Sequence, residues 1–296
     1  MRAPVGGLFR HVLDLAAEQA AHGHAVGILA DSSATDRLTD DRFAAVEPVL
    51  ALGITRAPMS RKPGAGDVAA AKLTFALARR LGADVLHGHG AKGGAYARLA
   101  AQALKSTGHA VASFYTPHGG SLNYRPNSLE GRIYLTLEKL LAHCTDGLIF
   151  ESAYAHRVYG ERVGIRSVPA RVIPNGLQPS DFATPELVDD ATDVLFIGEL
   201  RAIKGVDVLL IALAGLNRER PVTATIVGSG PDAESLKALA RARGVAEYVT
   251  FTGFLSGQPL LEALSTFDIG VIPDPKNSYN DKISMNKVFE YMTLGI

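Results

Sequence analysis

Two cationic side chains occupy a short loop between a predicted strand and a predicted helix. The apolar run at residues 194–197 predicts a buried strand, and from Val206 onward apolar residues recur at the spacing of a helix. Arg201 and Lys204 lie between these elements, beside the free N–H groups of the helix N-terminus. Such a site favours an anion, and a diphosphate above all. A pair of solvated surface cations is the alternative interpretation of this pair alone.

Glycines mark further loops in which the backbone could approach a phosphate closely. Gly6 and Gly7 open a predicted helix, and Gly228 follows the predicted strand at residues 223–227. Because glycine has no side chain, a ligand can lie directly against its backbone. For Gly6 and Gly7, an ordinary tight turn is the alternative interpretation.

Histidines stand at the ends of two predicted strands. His118 follows the apolar strand at residues 109–115, where an imidazole could hydrogen-bond a hydroxyl group or serve only as a structural turn residue. His87 and His89 end another predicted strand, but their spacing suits a metal only with further ligands, and the sequence indicates none near them. The sequence contains no Cys/His cluster at metal-ligand spacing, so its residues alone give no indication of a bound metal or another cofactor.

The composition is that of a globular chain with ample core. The chain has 296 residues, 47% of them hydrophobic, and a formal net charge of zero, which gives no indication of a nucleic-acid partner. The single cysteine, Cys144, excludes an intrachain disulfide and fits a reducing cytoplasm. The sequence shows no signal peptide or membrane-spanning stretch, which predicts a cytoplasmic protein and leaves peripheral contact with the inner face of a membrane open.

Short apolar runs alternate with longer helical patterns, which predicts an α/β protein with parallel sheets. We predict strands at residues 25–30, 84–87, 109–115, 147–150, 171–173, 194–197, 223–227, 249–251 and 269–272. Helices are predicted from Gly6 and at residues 67–81, 94–104, 129–144, 206–216, 232–243, 258–266 and 286–294. A polar stretch separates two such runs. The pattern therefore predicts a first domain at residues 1–177, a linker at residues 178–193 and a second domain at residues 194–296.

Both ends of the chain resemble interrupted domains. Gly6 and Gly7 have the character of a loop after a first strand, but residues 1–4 are too few and too polar to form that strand. At the other end, the last predicted helix runs into Gly295, a usual helix terminator after which a strand would follow. We therefore expect a fragment of a longer chain, with an incomplete second domain.

Six segments taken together resemble the retaining GT-B glycosyltransferases of family 4, and bacterial polysaccharide transferases in particular. They are residues 6–11 (GGLFRH), 115–120 (YTPHGG), 172–177 (VIPNGL), 198–205 (GELRAIKG), 227–231 (VGSGP) and 286–292 (NKVFEYM). The resemblance covers essentially the whole chain. It implies two Rossmann-like domains that face each other across a cleft. The second domain would hold a nucleotide-diphosphate sugar and the first domain the acceptor.

The resemblance also implies roles for individual side chains. Arg201 and Lys204 would hold the diphosphate and stabilise the charge that builds on the leaving oxygen, so no divalent metal is expected. Glu290 would accept hydrogen bonds from the ribose hydroxyls, and His118 would contact the reacting sugar. The predicted catalytic residues are thus His118, Arg201 and Lys204. The other predicted donor-binding residues are Gly6, Gly7, Gly198, Gly228, Asp281, Asn286 and Glu290.

One position departs from the family pattern. The family often has an acidic residue eight positions before the glutamate that matches Glu290, and this chain has Lys282 there. Asp281 is the neighbouring acid, and either it contacts the sugar hydroxyls through a shifted loop or the contact is absent. Recognition of the donor sugar is therefore less defined by the sequence than the fold is.

The sequence as a whole predicts a cytoplasmic enzyme that transfers a sugar from a nucleotide-diphosphate sugar to a saccharide or lipid-linked saccharide acceptor, with retention at the anomeric carbon. Two alternatives stay open. One is a GT-B nucleotide-sugar epimerase, which would need acid–base carboxylates in the cleft. The other is a catalytically inactive fragment that still binds a nucleotide sugar. The predicted clamp does not distinguish UDP, GDP and ADP, because it does not touch the base.

Overall fold

The structure is a computed structural model that describes residues 1–2, 4, 6–33, 37–59, 64–182, 192–255, 258–264, 267–275, 288 and 291–292. It divides into two compact units, with the boundary between Gly176 and Leu177. In both units the described strands pair in parallel and alternate along the chain with helices. The predicted α/β class with parallel sheets is therefore confirmed.

The first unit contains two parallel sheets in its described part. Its strands are β1 (Ile28–Asp31), β2 (Ile54–Ala57), β3 (Val85–His89), β4 (Ala112–Thr116), β5 (Gly147–Phe150) and β6 (Ala170–Val172). Its helices are α1 (Gly6–Ala21), α2 (Arg37–Val46), α3 (Ala65–Leu81), α4 (Gly90–Ser106), α5 (Leu129–Leu141) and α6 (Ala153–Arg162). Strand β1 pairs with β2, and β3, β4, β5 and β6 pair in that order. His89 and Thr116, at the ends of β3 and β4, lie opposite each other in the register.

The described part of the second unit contains one four-stranded sheet, in the order β10, β7, β8, β9. Its strands are β7 (Thr192–Ile197), β8 (Ala224–Val227), β9 (Val249–Gly253) and β10 (Phe267–Gly270). Its described helices are α7 (Val206–Leu216), α8 (Ala233–Ala242) and α9 (Gln258–Leu264). Because all four strands are parallel, the loops that follow β7, β8 and β10 lie at the same edge of the sheet.

Helix α7 lies against the second unit's sheet through a strongly apolar face. Leu209 and Leu213 belong to the same buried cluster as Phe196 of β7 and Ile226 of β8. Fully burying a leucine side chain contributes about 1.5–3 kcal/mol, so this contact fixes the helix firmly on the sheet. The loop between β7 and α7 is thereby held at both ends.

A buried ion pair holds the loop after β4 in the first unit. The guanidinium of Arg98 in α4 donates to Glu138 of α5 at 2.9 Å, and both side chains are almost fully buried. Tyr115 and Ser121 each donate a hydroxyl hydrogen bond to the other carboxylate oxygen of Glu138, at 2.9 Å and 2.7 Å. Since Ser121 lies three residues after His118, the buried carboxylate fixes the segment that carries that histidine.

Three elements were not predicted from the sequence, namely α2, β2 and α6. Helices α2 and α6 are rich in charged residues, so their apolar periodicity is weak. Strand β2 spans only four residues, three of them half-buried.

Some strands begin at other residues than predicted, because pairing with the neighbouring strand determines where a strand starts. Strand β10 starts at Phe267, opposite Thr192, so it begins earlier than predicted and β7 begins inside the interval predicted as linker. Strand β1 starts at Ile28, opposite Ile54 of β2, and so begins later than predicted.

Candidate functional site

Two glycine-containing loops pack backbone to backbone at the carboxyl edge of the second unit's sheet. A Cβ atom on Gly228 would lie 1.9 Å from the carbonyl oxygen of Gly198, and one on Gly230 would lie 2.3 Å from that of Leu200. Gly228 has a φ angle of 147°, which side-chain-bearing residues rarely adopt. The amide of Leu200 donates to the carbonyl of Ser229 at 2.9 Å. The structure thus brings the predicted residues Gly198 and Gly228 into contact.

Arg201 stands in the first of these loops with its side chain about half exposed to solvent. Its guanidinium donates to the carboxylate of Glu199 at 2.7 Å. The next residue, Ala202, donates its amide to the carboxylate of Asp232 in the neighbouring loop at 2.6 Å. An exposed ion pair of this kind is worth only about 0–1 kcal/mol, so Arg201 can exchange Glu199 for a stronger anionic partner at little cost.

Lys204 lies at the start of α7 and is more enclosed. Its ammonium group donates to Asp274 at 3.0 Å, and the Asp274 side chain is only 3% exposed. The other oxygen of Asp274 has no hydrogen-bond partner among the described residues. Gly205, with a φ angle of 65°, follows Lys204, and a Cβ atom there would lie 2.0 Å from the carbonyl oxygen of Pro273. This close approach holds Lys204 against the segment that follows β10.

The N-terminus of α7 adds hydrogen-bond donors to the two cations. Gly205 is the N-cap residue and has no side chain to accept from the first-turn amides of the helix. Uncapped amides and the positive end of the helix dipole favour an anion at this point. Two acids, Glu199 and Asp274, already pair with Arg201 and Lys204, and the sequence pattern predicted neither partner. An anion that binds both cations therefore has to displace or share these carboxylates.

Three histidines meet in the first unit, at the carboxyl ends of β3 and β4. The ring of His89 lies within hydrogen-bond distance of the ring of His118, with Nδ1 and Nε2 3.0 Å apart. The ring of His11, from α1, has its centroid 5.3 Å from that of His118 and 5.7 Å from that of His89. One nitrogen from each of the three rings lies within 4.8 Å of the others, so the set could hold a metal ion such as zinc. The expectation that His89 has no further candidate ligands nearby is therefore wrong.

Burial keeps these imidazoles neutral. It lowers the pKa of His118 to about 3, with neighbouring histidines adding to the effect, and it lowers the pKa of His89 well below its ordinary value. It also lowers the pKa of His87 to about 4, and the His87 ring lies 2.9 Å from the hydroxyl of Thr116. A neutral imidazole offers one N–H donor and one nitrogen acceptor. Each ring can therefore donate or accept a hydrogen bond at neutral pH, but none carries a stable positive charge.

His118 adopts a left-handed backbone conformation, with a φ angle of 49°. It is the one non-glycine residue in the described part of the chain with a positive φ angle. Gly119 and Gly120 follow with positive φ angles, and the amide of Gly120 donates to the carbonyl of His118 at 2.9 Å. A histidine in this region is uncommon and often marks a functional position. The turn places the His118 ring against His89.

Glu151 is a further candidate that the sequence pattern did not predict. It directly follows β5 and is 5% exposed, and one carboxylate oxygen has no hydrogen-bond partner among the described residues. Burial raises the pKa of this carboxyl, while the backbone amides of Glu151 and His118 act in the opposite direction. The sequence feature that could have indicated Glu151 is an acidic residue directly after a buried strand. That strand, β5, neighbours β4, and His118 follows β4.

The remaining predicted residues divide into two groups. Gly6 opens α1 with a φ angle of 63°, and Gly7 is the next residue of the same helix. Asp281, Asn286 and Glu290 lie outside the described residues. Their roles on the donor side stay predictions.

Comparison with protein-family models gives one match in each half of the chain. Residues 5–181 match the model of Glycosyltransferase Family 4, and residues 191–296 match that of Glycosyl transferases group 1. The first match alone spans more than half of the chain. The chain belongs to glycosyltransferase family 4.

Curated relatives of this family 4 chain include a mannosyltransferase and a glycogen synthase. It is 30% identical over 281 residues to the phosphatidyl-myo-inositol mannosyltransferase of Mycolicibacterium smegmatis, a match that covers 90% of this chain and 66% of the relative. It is 29% identical over 292 residues to the glycogen synthase of Mycobacterium tuberculosis, covering 91% of this chain and 69% of the relative. The chain therefore spans about two thirds of the length of these proteins.

Solved structures place the fold among the GT-B glycosyltransferases. Anabaena Alr3699/HepE in complex with UDP superposes with a TM-score of 0.69 at 18% identity, covering 99% of this chain and 76% of that one. The lipopolysaccharide outer core galactosyltransferase WaaB superposes with a TM-score of 0.65 at 16% identity, covering 100% of this family 4 chain and 79% of WaaB. At these identities the likeness shows the fold alone. Among the described residues, no helix has the length and apolar character needed to cross a membrane.

Proposed function

We propose that this family 4 chain forms the core of a retaining glycosyltransferase. It transfers a sugar from a nucleotide-diphosphate sugar to a saccharide or lipid-linked saccharide acceptor in the cytoplasm, at the inner face of the membrane. The observation that carries the proposal is the loop at residues 198–205, which presents Arg201 and Lys204 at the uncapped start of α7. The relative named for phosphatidyl-myo-inositol and the neighbour bound to UDP support both halves of the proposal.

We propose that electrostatic attraction holds the diphosphate of the donor. A diphosphate carries more negative charge than a single carboxylate, so it competes well with Glu199 for Arg201 and with Asp274 for Lys204. When the bond between the sugar and the diphosphate breaks, negative charge grows on the leaving oxygen. Fixed cations and helix amides stabilise that charge more in the transition state than in the bound donor, which accelerates the transfer.

His118 serves the reacting sugar as a hydrogen-bonding group. Because burial lowers its pKa to about 3, the ring is neutral and a weak base, so it does not act as the general base. Its partner His89 fixes the ring orientation through the contact between Nδ1 and Nε2. We propose that one His118 nitrogen binds a sugar hydroxyl, and that the leaving phosphate accepts the acceptor's proton.

The donor's remaining contacts come from the predicted residues beyond the described part. Glu290 binds the ribose hydroxyls, Asp281 contacts the sugar hydroxyls, and Asn286 contributes to donor binding. No metal or other cofactor takes part in this proposal, because Arg201, Lys204 and the start of α7 supply the positive charge. Gly6 and Gly7 let the backbone approach a phosphate closely.

A transfer assay tests the proposal. The chain is incubated separately with UDP-, GDP- and ADP-sugars and with lipid extract as acceptor, and release of nucleoside diphosphate is measured. We expect release with one nucleotide, dependent on acceptor, and a product whose anomeric proton by NMR shows retention. The Arg201→Ala variant is expected to lose about 10²–10³ in rate, as when one transition-state donor is removed.

Matched controls separate this function from the alternatives. Arg241→Ala removes an exposed cation at the end of α8 and should leave the rate unchanged. Conversion of the donor sugar without any acceptor would instead indicate an epimerase. Nucleotide binding without release, from a chain that melts cooperatively, would indicate an inactive nucleotide-sugar binder.

A further inference from the structure

The rings of His11, His89 and His118 converge in the first unit from three separate elements. His11 lies in α1, His89 ends β3, and His118 follows β4. The Nδ1 atom of His89 and the Nε2 atom of His118 are 3.0 Å apart, and one nitrogen of each ring lies within 4.8 Å of the others. Within the part of the chain that the structure describes, no other three side chains of metal-ligating type converge in this way.

The three rings have to be neutral in this arrangement. Three imidazolium ions so close together would repel one another. The contact between His89 and His118 also requires one ring nitrogen to donate and the other to accept. Neutral imidazole is the form that binds a metal ion. An ion between the rings would replace the shared hydrogen, and that proton would move to the other nitrogen of the ring that donated it.

Regular elements hold the three rings in position. Phe9 and Val12, on either side of His11 in α1, pack in a buried cluster with residues of β1, which fixes the helix. His89 is 6% exposed, and the ring of His87 lies against it with the centroids 4.0 Å apart. Ligands on helices and strands are held more precisely than ligands on mobile loops. The cluster therefore has the rigidity that a metal site requires.

We propose that His11, His89 and His118 form a binding site for a zinc ion. Zinc binds imidazole nitrogens at about 2.0–2.1 Å in a tetrahedron, which places two ligand nitrogens about 3.3 Å apart. The nitrogens of His89 and His118 are already close to this separation. The half-buried ring of His11 completes the set by turning toward them. Three protein ligands leave the fourth position of the ion open to water.

A buried carboxylate beside the cluster favours a cation there. Glu151 is 5% exposed, and one of its carboxylate oxygens has no hydrogen-bond partner among the described residues. This carboxylate lies next to the backbone amide of His118. A buried polar oxygen without a partner is costly, and a nearby divalent ion would stabilise it electrostatically. Glu151 thus supplies the negative charge that three neutral imidazoles lack.

Zinc at this site would inhibit the reaction proposed above. The ion would take a ring nitrogen of His118 and hold the ring toward His11 and His89, so that nitrogen could not bind a sugar hydroxyl. Zinc would therefore act as an inhibitor and not as a cofactor. This consequence rests on the proposed function, whereas zinc binding itself does not.

Equilibrium dialysis with zinc alone tests the site. We expect the parent chain, first freed of metal with a chelator, to bind one zinc ion at the cluster. His11→Gln should bind it at least about 100-fold more weakly, because even the loss of a group that only supports a ligand costs about 10–100-fold. His24→Gln removes an exposed histidine outside the cluster and should bind zinc like the parent. Equal zinc affinity of the parent and His11→Gln would overturn the proposal.

Cobalt substitution tests the geometry of the site. Tetrahedral Co²⁺ absorbs visible light much more strongly than octahedral Co²⁺, so its spectrum reports the number and arrangement of its ligands. We expect a strong visible band in the parent chain that excess zinc removes, and no such band in His11→Gln. Chemical unfolding without metal checks that His11→Gln is folded. A weak octahedral spectrum in the parent chain would contradict the three-histidine site.

The transfer assay distinguishes this inference from the proposed function. At a free zinc concentration about ten times its dissociation constant, about nine tenths of the chains are occupied, so the parent's rate should fall about tenfold. His11→Gln should transfer at the parent's rate and keep that rate when zinc is added. An equal response of both chains to zinc would contradict inhibition through the cluster. Absence of transfer from both chains without zinc would instead count against the proposed function.

Discussion

The backbone and the ring of His118 point to the same functional position. The φ angle of 49° is unfavourable for a residue with a side chain, and burial removes the ring's charge at neutral pH. The strained backbone and the uncharged ring both occur just after a buried strand, where His89 lies against the His118 ring. The surroundings therefore hold His118 as a neutral, oriented hydrogen-bonding group.

The lowered pKa of His118 makes the protein's stability depend on pH. Between the folded pKa of about 3 and the ordinary value of 6.5, the unfolded chain binds the proton and the folded chain does not. Stability therefore rises as pH rises through this window, and at about pH 5 this histidine destabilises the fold by up to about 2 kcal/mol. His118→Asn, which tolerates the left-handed region, should reduce the loss of stability between about pH 7 and pH 5.

Urea unfolding at these two pH values measures the effect. His24→Asn is the matched control, because His24 is exposed and that variant should retain the full pH dependence of the parent chain. An unchanged pH slope in His118→Asn would show that His118 is not the buried neutral group described above.

The loop position of a residue was predictable from the sequence where its neighbours in the chain define it, while the binding roles of Arg201 and Lys204 stay predictions. Arg201 and Lys204 stand within one loop, so strand and helix patterns on either side were enough to indicate them. The histidine cluster was not predictable, because His11, His89 and His118 come from separate elements. Only the order of strands in the sheet brings such residues together. The partners Glu199 and Asp274 were missed for a different reason, since an ion pair depends on side-chain positions that no spacing specifies.

At the scale of elements, the loops that follow β7 and β8 in the second unit are in close backbone contact with each other. Each glycine that approaches a backbone carbonyl leaves no room for a side chain, so the loop at residues 198–205 has a single position against its neighbour. Sequence patterns found these loops because glycine is the common residue where backbones meet. Their mutual contact followed only from the pairing of β7 with β8.

Replacing a glycine at this contact should move the loop that carries Arg201. In Gly228→Ala the new Cβ atom would lie 1.9 Å from the carbonyl oxygen of Gly198, and the backbone has to shift. We expect a loss of about 1–3 kcal/mol in stability, together with weaker nucleotide binding. Chemical denaturation and a nucleotide titration measure the two effects.

Gly215→Ala is the matched control for that variant. Gly215 lies in α7 with no atom near its added Cβ, so alanine there should stabilise the chain by about 0.5–1 kcal/mol and leave nucleotide binding unchanged. Equal stability of Gly228→Ala and the parent chain would show that the two loops are not in tight contact.

At the scale of the whole molecule, the candidate residues form two groups, one in each of the two units. Arg201, Lys204, Gly198 and Gly228 belong to the second unit, while Gly6, Gly7, the histidines and Glu151 belong to the first. The two family matches, residues 5–181 and 191–296, follow the same division of the chain. The sequence predicted the α/β class with parallel sheets because buried parallel strands give continuous apolar runs. It did not predict β2 or the charged helices α2 and α6, whose burial is partial.

Calorimetric titration of UDP, GDP and ADP into the parent chain and the Arg201→Ala/Lys204→Ala variant tests whether the loop at residues 198–205 holds the diphosphate. We expect the parent chain to bind one of the three nucleotides and the double variant, still folded by circular dichroism, to bind none of them. The matched double variant Arg241→Ala/Arg243→Ala, which removes the same charge from the exposed end of α8, should bind like the parent. Undiminished binding by Arg201→Ala/Lys204→Ala would contradict the claim that this loop holds the diphosphate.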